Sequence, residues 1–355
     1  MNLSDLGYTS EIDKYLLDNK LSEFTVGRVS QEHRERYIVS TGENEYDAEI
    51  TGNLRFTAAS RTDFPAVGDW VAMSVYDSDM AIIHKVLPRK SVLERQAIGK
   101  TGEKQIISAN IDTALIMQSI DNNFNINRLE RYLTICYSSG IKPVLVISKI
   151  DLAQKNEIQS ATKSLQLREK KIKTIMLSNI SFEGLDQLVS SLQKGKTYCV
   201  VGSSGVGKST LINNLLKKTI LKTGPISEST NKGRHITSHR ELFVLDNGAI
   251  IIDTPGMKEL GIVEKEEGVR TTFEEIYNLS LKCKFHDCTH TLESGCAITG
   301  ALENGTIDKA TLENFRKIQR EQIRFQTSLA EKRKKDKEFG KMAKEIMKEK
   351  KKNKF

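Results

Sequence analysis

Over its first hundred residues the chain alternates apolar and polar positions in short stretches, 24–29, 36–40, 45–50, 69–75 and 80–86. Gly42, Gly52, Pro65, Gly68 and Asp77-Ser78-Asp79 punctuate them. Alternation with period two between turn residues predicts five half-buried strands. Five strands in so short a span predict a small barrel, best matched by an OB-like one. From about Ile107 the pattern changes to solid apolar runs at 113–117, 143–148, 173–177, 197–201, 241–245 and 249–252, with helical stretches at 126–139 and 182–193 between some of them. Runs of this kind separated by helices predict a mostly parallel sheet buried on both faces. After about Glu264 the pattern becomes helix-rich, and Leu312, Phe315, Ile318, Phe325 and Leu329 mark the apolar face of one helix.

At 355 residues and 38% hydrophobic, the chain has material for two to three domains and is neither collagenous nor wholly disordered. No run of 18 apolar residues occurs, and Met1-Asn2-Leu3-Ser4-Asp5 lacks a secretory pattern, so the reading is a cytoplasmic protein with no membrane partner. The net charge of +8 is unevenly placed. Residues 331–355 carry 12 Lys/Arg against 5 Asp/Glu, which reads either as a solubilising helix end or, more sharply, as a polyanion-binding arm. Arg34, Arg36, Arg55 and Arg61 put further cationic groups on the barrel.

Gly202-Ser203-Ser204-Gly205-Val206-Gly207-Lys208-Ser209 follows the apolar run 198–201 and leads through Thr210 into a helical stretch. Glycines at those positions let backbone N–H groups close around phosphate oxygens. Lys208 reaches the β- and γ-phosphates and the Ser209 hydroxyl holds magnesium. Asp253-Thr254-Pro255-Gly256 ends another buried run, so Asp253 can hold a magnesium-bound water and the Gly256 N–H can reach the γ-phosphate. Ser148-Lys149-Ile150-Asp151 resembles the Asn-Lys-x-Asp that reads the base in GTPases, with serine in place of the usual asparagine. The Asp151 carboxylate matches the paired donors of guanine, which adenine lacks. Leu177-Ser178-Asn179 is similar to the loop whose backbone meets the guanine oxygen.

Both base-reading motifs precede the phosphate loop, the reverse of the usual GTPase order, which implies circular permutation. A permuted GTPase between a β-barrel and a C-terminal cysteine cluster resembles the RsgA/YjeQ family of small-ribosomal-subunit assembly GTPases. The likeness is carried also by Pro65-Ala66-Val67-Gly68-Asp69-Trp70-Val71, Gly233-Arg234-His235-Ile236-Thr237 and Asp287-Cys288-Thr289-His290. It implies three units: an OB-like RNA-binding barrel over 1–105, a circularly permuted P-loop GTPase domain over 106–265, and a helical zinc domain with a basic tail over 266–355. It implies a monomer that binds GTP, GDP and Mg2+, grips the rRNA of the small (30S) subunit, and hydrolyses GTP late in subunit assembly.

The stretch 223–239, rich in Gly, Ser and Thr, reads as the switch that senses the γ-phosphate. Thr237 is its magnesium-binding threonine, with Ser238 the fallback, and the resemblance gives His235 the task of positioning the attacking water. Met257 stands where many GTPases have glutamine, so intrinsic turnover should be slow. Met257 and Ser148 also support a second reading, an RNA-binding checkpoint with vestigial hydrolysis; an ATP-using P-loop enzyme is disfavoured by Asp151. Cys283-x4-Cys288-x-His290-x5-Cys296 offers three thiols and an imidazole within 14 residues, the donor set of a closed tetrahedral zinc site. Cys136 and Cys199 lie in apolar strings as core thiols.

Overall fold

The computed structural model describes residues 1–33, 36–96, 104–121, 124–169, 171–221, 240–254, 266–291, 293–324, 331 and 334. His235, Thr237, Ser238, Gly256, Met257 and the basic tail beyond 334 lie outside the described residues, as does Arg34.

Five N-terminal strands form the barrel: β1 (Thr25–His33), β2 (Arg36–Ser40), β3 (Glu45–Ile50), β4 (Trp70–Val75) and β5 (Met80–Val86). The sheet runs β1-β2-β3-β5-β4, and β4 pairs back onto β1, which closes it. Alternation fills the interior with Val29, Val39, Ala48, Val71, Met73 and Ile83, all buried. A hairpin, β6 (Val92–Gln96) and β7 (Lys104–Ala109), follows. The 105/106 division expected from the pattern falls inside β7, and Leu93 and Ile107 of this hairpin pack into the next core.

That core surrounds β8 (Thr113–Ser119), β9 (Lys142–Ser148), β10 (Thr174–Met176), β11 (Thr197–Gly202), β12 (Glu241–Val244) and β13 (Ile250–Asp253). In space they run β10-β9-β8-β11-β13-β12, parallel except for the β12–β13 pair. Apolar clusters lie on both faces, which accounts for the unbroken hydrophobic runs. The helix expected over 182–193 is shorter, Leu185–Ser191, because Phe182 and Gly184 both adopt left-handed backbone that a helix cannot continue through. Helices at Ser10–Asp18 and Lys155–Arg168 were not expected from the pattern; the second has few apolar residues to reveal its face.

Two junctions fix the flanking units. Arg28 of β1 is buried and donates to the carbonyls of Leu6, Gly68 (3.2 Å) and Asn110 (3.3 Å) and to Thr197 Oγ1 (2.9 Å), the first residue of β11. Its charge meets backbone dipoles and the face of Trp70, 5.5 Å away. One barrel residue thus bonds the strand that carries the phosphate loop. At the other end, helices Glu266–Thr272, Glu274–Ser280 and Ala297–Glu303 and helical residues 309–324 enclose a separate core of Val269, Phe273, Ile298, Leu312, Phe315 and Ile318. This unit packs on helix Ile126–Ser138 at Gly268, where a Cβ would meet Thr134 O at 2.4 Å, so only glycine admits the approach. Arg131 grips Glu321 at 2.6 and 2.8 Å, and buried Glu130 accepts from both Arg168 and Asn314.

Candidate active site and metal cluster

The phosphate loop turns at the end of β11. Gly202, Gly205 and Gly207 all hold positive φ, and helix Lys208–Leu216 begins directly after them, with its first N–H groups facing the loop. Lys208 is nearly buried, and its ammonium donates to the carbonyls of Gly202 (2.9 Å) and Ser203 (2.7 Å). Those bonds draw the charge back across the cradle it would share with phosphate oxygens. Ser203 Oγ is buried with no hydrogen-bond partner in the structure. Ser209 and Thr210 open the helix, half-buried.

Asp253 ends β13, one residue beyond Ile252, which pairs with Cys199 of the loop strand, and Thr254 anchors the turn by donating to Val200 O at 2.9 Å. The Asp253 carboxylate is buried and its Oδ2 has no partner. Burial pushes its pKa up to about 6; Lys208 pulls it down and Glu241 pushes it further up. A buried acceptor left unpaired near a lysine fits a hydrated magnesium ion. Asp253→Asn should therefore separate stability from activity. Because folding raises this carboxyl's pKa above its unfolded value of about 4, the cost of ionising it grows as pH rises toward 6 and is fully present at pH 7. The asparagine variant, free of nucleotide, should be more stable than the parent at pH 7 by up to about 3 kcal/mol, a gain that disappears below about pH 4. It should lose the magnesium-dependent tightening of GTP binding. Thermal melts across pH with parallel GTP titrations check both; a variant less stable at pH 7 than at pH 4 relative to the parent would refute the account.

The residues expected to read the base follow β9 and β10. Ser148 is buried and donates to Val206 O at 2.7 Å, so the serine makes a brace to the phosphate loop. Lys149, in left-handed backbone, lays its ammonium on Asp121 at 2.9 Å. Asp151 is exposed. Ser178 is buried and caps its own loop, accepting from the N–H groups of Ile180 and Ser181 at 3.1 Å. Asn179 donates from Nδ2 to Gly207 O at 3.1 Å. Sequence patterning missed Asp121, because the only signal joining it to Lys149 is spatial.

Cys283, Cys288, His290 and Cys296 bring one donor atom each to within 4.8 Å of one another. Cys283 Sγ lies 3.5 Å from His290 Nδ1 and 3.9 Å from Cys296 Sγ, and Cys296 Sγ lies 3.7 Å from the same nitrogen. The edges of a tetrahedron with metal–sulfur bonds of about 2.3 Å are about 3.8 Å, close to these three separations, so the four residues could hold a metal ion. His286, a neighbouring imidazole, is not among them. Cys136 and Cys199 are buried in the sheet core, and burial pushes the Cys136 thiol up to about 12.

Base loops that precede the phosphate loop along the chain, with the Asp253 carboxylate after it, define a circularly permuted P-loop GTPase. A family model described as RsgA GTPase matches residues 86–263, and one described as 50S ribosome-binding GTPase matches 197–350. The chain is 44% identical over 321 residues to small ribosomal subunit biogenesis GTPase RsgA 2 of Lactiplantibacillus plantarum, covering 90% of this chain and 89% of that one. It is 36% identical to RsgA 1 of Bacteroides thetaiotaomicron over 98% of each. The fold matches YjeQ from Thermotoga maritima with a TM-score of 0.62 at 25% identity, over 84% of this chain and 98% of that one. It also matches YloQ, a circularly permuted GTPase, with a TM-score of 0.59 at 21% identity, over 88% and 96%. The chain belongs to the RsgA GTPase family and is a GTP hydrolase that uses guanine nucleotide and Mg2+.

Proposed function

We propose that this GTPase acts in assembly of the small ribosomal subunit, binding the 30S particle with GTP and leaving it after hydrolysis. The observation that carries the reading is the close relation, along nine-tenths of the chain, to a protein named for small-subunit biogenesis. The site supports it residue by residue. Gly202 to Lys208 cradle the phosphates, Ser209 and Thr237 hold magnesium with Asp253 behind its water, and Asp151 with the Asn179 backbone reads guanine. His235 orients the attacking water. Zinc is the ion for the Cys3His set, since three thiolates and an imidazole gathered in one cluster suit it. The barrel and the C-terminal unit with its basic tail contact rRNA from either side of a monomeric, cytoplasmic enzyme. No described helix is long and apolar enough to cross a membrane.

The reading is tested by GTP turnover with purified small subunits, large subunits or free RNA. Small subunits should raise turnover by about tenfold or more, acting through the segment that carries His235 and Thr237. Large subunits are the informative control, given the second family description. Stimulation by large subunits alone, or by none of the three, would overturn the proposal; the latter would leave an RNA-binding checkpoint.

A further inference from the structure

Two successive carbonyls of the phosphate loop are held from two different base loops. Ser148, at the end of β9, donates to Val206 O at 2.7 Å, and Asn179, after β10, donates to Gly207 O at 3.1 Å. The loop that carries Asn179 is in turn tied to the helix beyond the phosphate loop, because Asn214 Nδ2 donates to Asn179 O at 3.0 Å. Gly207 makes the approach possible: a Cβ there would stand 2.8 Å from Asn179 Nδ2, and its φ of +93° disfavours any side chain. Asn179 is 9% exposed, and its Oδ1 is buried with no partner in the structure.

A serine hydroxyl has one hydrogen to give, and that of Ser148 is turned to main-chain carbonyls, Val206 O at 2.7 Å and Gln118 O at 3.3 Å. A carboxamide has two donors and an acceptor, so the asparagine usual at position 148 can brace the phosphate loop and still offer polar groups to a purine. Among the described residues, the carboxamide at this junction comes from Asn179. We propose that Asn179 is a positioning residue that replaces the carboxamide absent from position 148, fixing the distance between the base loops and the phosphate cradle. It acts through Gly207 and does not touch the reacting atoms. The inference rests on Asp151 as the base reader, since the distance being fixed is that between Asp151 and the phosphate site.

The test uses the full chain with fluorescent GDP, steady-state turnover and thermal melts. Asn179→Ala should weaken GDP binding and raise KM for GTP by about tenfold, with kcat within about twofold, because the brace serves ground state and transition state alike. Ser148→Asn added to Asn179→Ala should recover most of the lost affinity. Asn179→Asp, which keeps the shape but lacks the donor, should repeat the loss if the alanine variant folds poorly. GDP affinity within about twofold of the parent in both single variants, or a double variant no tighter than Asn179→Ala, would overturn the inference. A merely structural role would lower the melting temperature and leave GDP affinity in place, a result that overturns the inference equally. The assignment of Asp151 fails separately, if Asp151→Asn keeps the parent's preference for GDP over XDP.

Discussion

Replacing Lys208 by alanine lowers GTP turnover at least about a hundredfold while the chain stays folded. The ammonium is held by the carbonyls of Gly202 and Ser203, so it is aimed across the cradle before any phosphate arrives, and little reorganisation opposes its meeting a γ-phosphate on which charge builds. Alanine removes that preorganised charge and also the group that pulls the Asp253 pKa down. In the variant the Asp253 carboxyl should therefore take up a proton closer to neutral pH, and magnesium dependence should weaken along with turnover. The fold should survive, because the apolar cores on both faces of the sheet are untouched. Single-turnover hydrolysis, a GTP titration against magnesium and a thermal melt check the three parts. Turnover within about tenfold of the parent in a folded variant would remove Lys208 from the catalytic role.

The parts legible in sequence are those whose chemistry is local. The phosphate loop is eight consecutive residues with an apolar strand before it, and the four metal donors lie within 14 residues, so spacing alone locates both. The barrel strands were legible from alternation, but β3 against β5 and β4 against β1 are pairings between segments that no local pattern links. Contacts between units were invisible for the same reason. Arg28 looked like one more charged residue in a strand, yet it is buried because four acceptors from distant segments surround it. Glu130 lies within the helical stretch expected at 126–139, but its partners Arg168 and Asn314 come from a helix the pattern missed and from the C-terminal unit. Ser148 departs from the usual motif; only the structure shows its hydroxyl reaching Val206 and the amide of Asn179 beside it.

Cys296→Ser should detach the metal and unfold the C-terminal unit while nucleotide binding persists. Cys296 does two things: its sulfur is one of the four donors, and as the N-cap of helix Ala297–Glu303 it accepts from the Thr299 N–H at 3.5 Å. Serine is among the best N-cap residues, so the cap survives the substitution and only the soft ligand is lost. The apolar core of this unit is small, and a core of that size supplies only a few kcal/mol, whereas a structural zinc ion in a small domain contributes about 10 kcal/mol or more. Losing the ion should thus shift the unit's local equilibrium toward the open state even though Arg131–Glu321 and the Glu130 contacts still tether it to the GTPase sheet. Limited proteolysis should cut within 266–324 at least about a hundredfold faster than in the parent, metal analysis should fall from one zinc per chain to none, and fluorescent GDP should bind as before. A chelator applied to the parent should reproduce the cleavage pattern, which separates metal loss from any effect of the hydroxyl. Protease resistance equal to the parent's in a variant shown to be free of zinc would mean that the apolar core and the tether suffice, and that the ion is not what holds this unit folded.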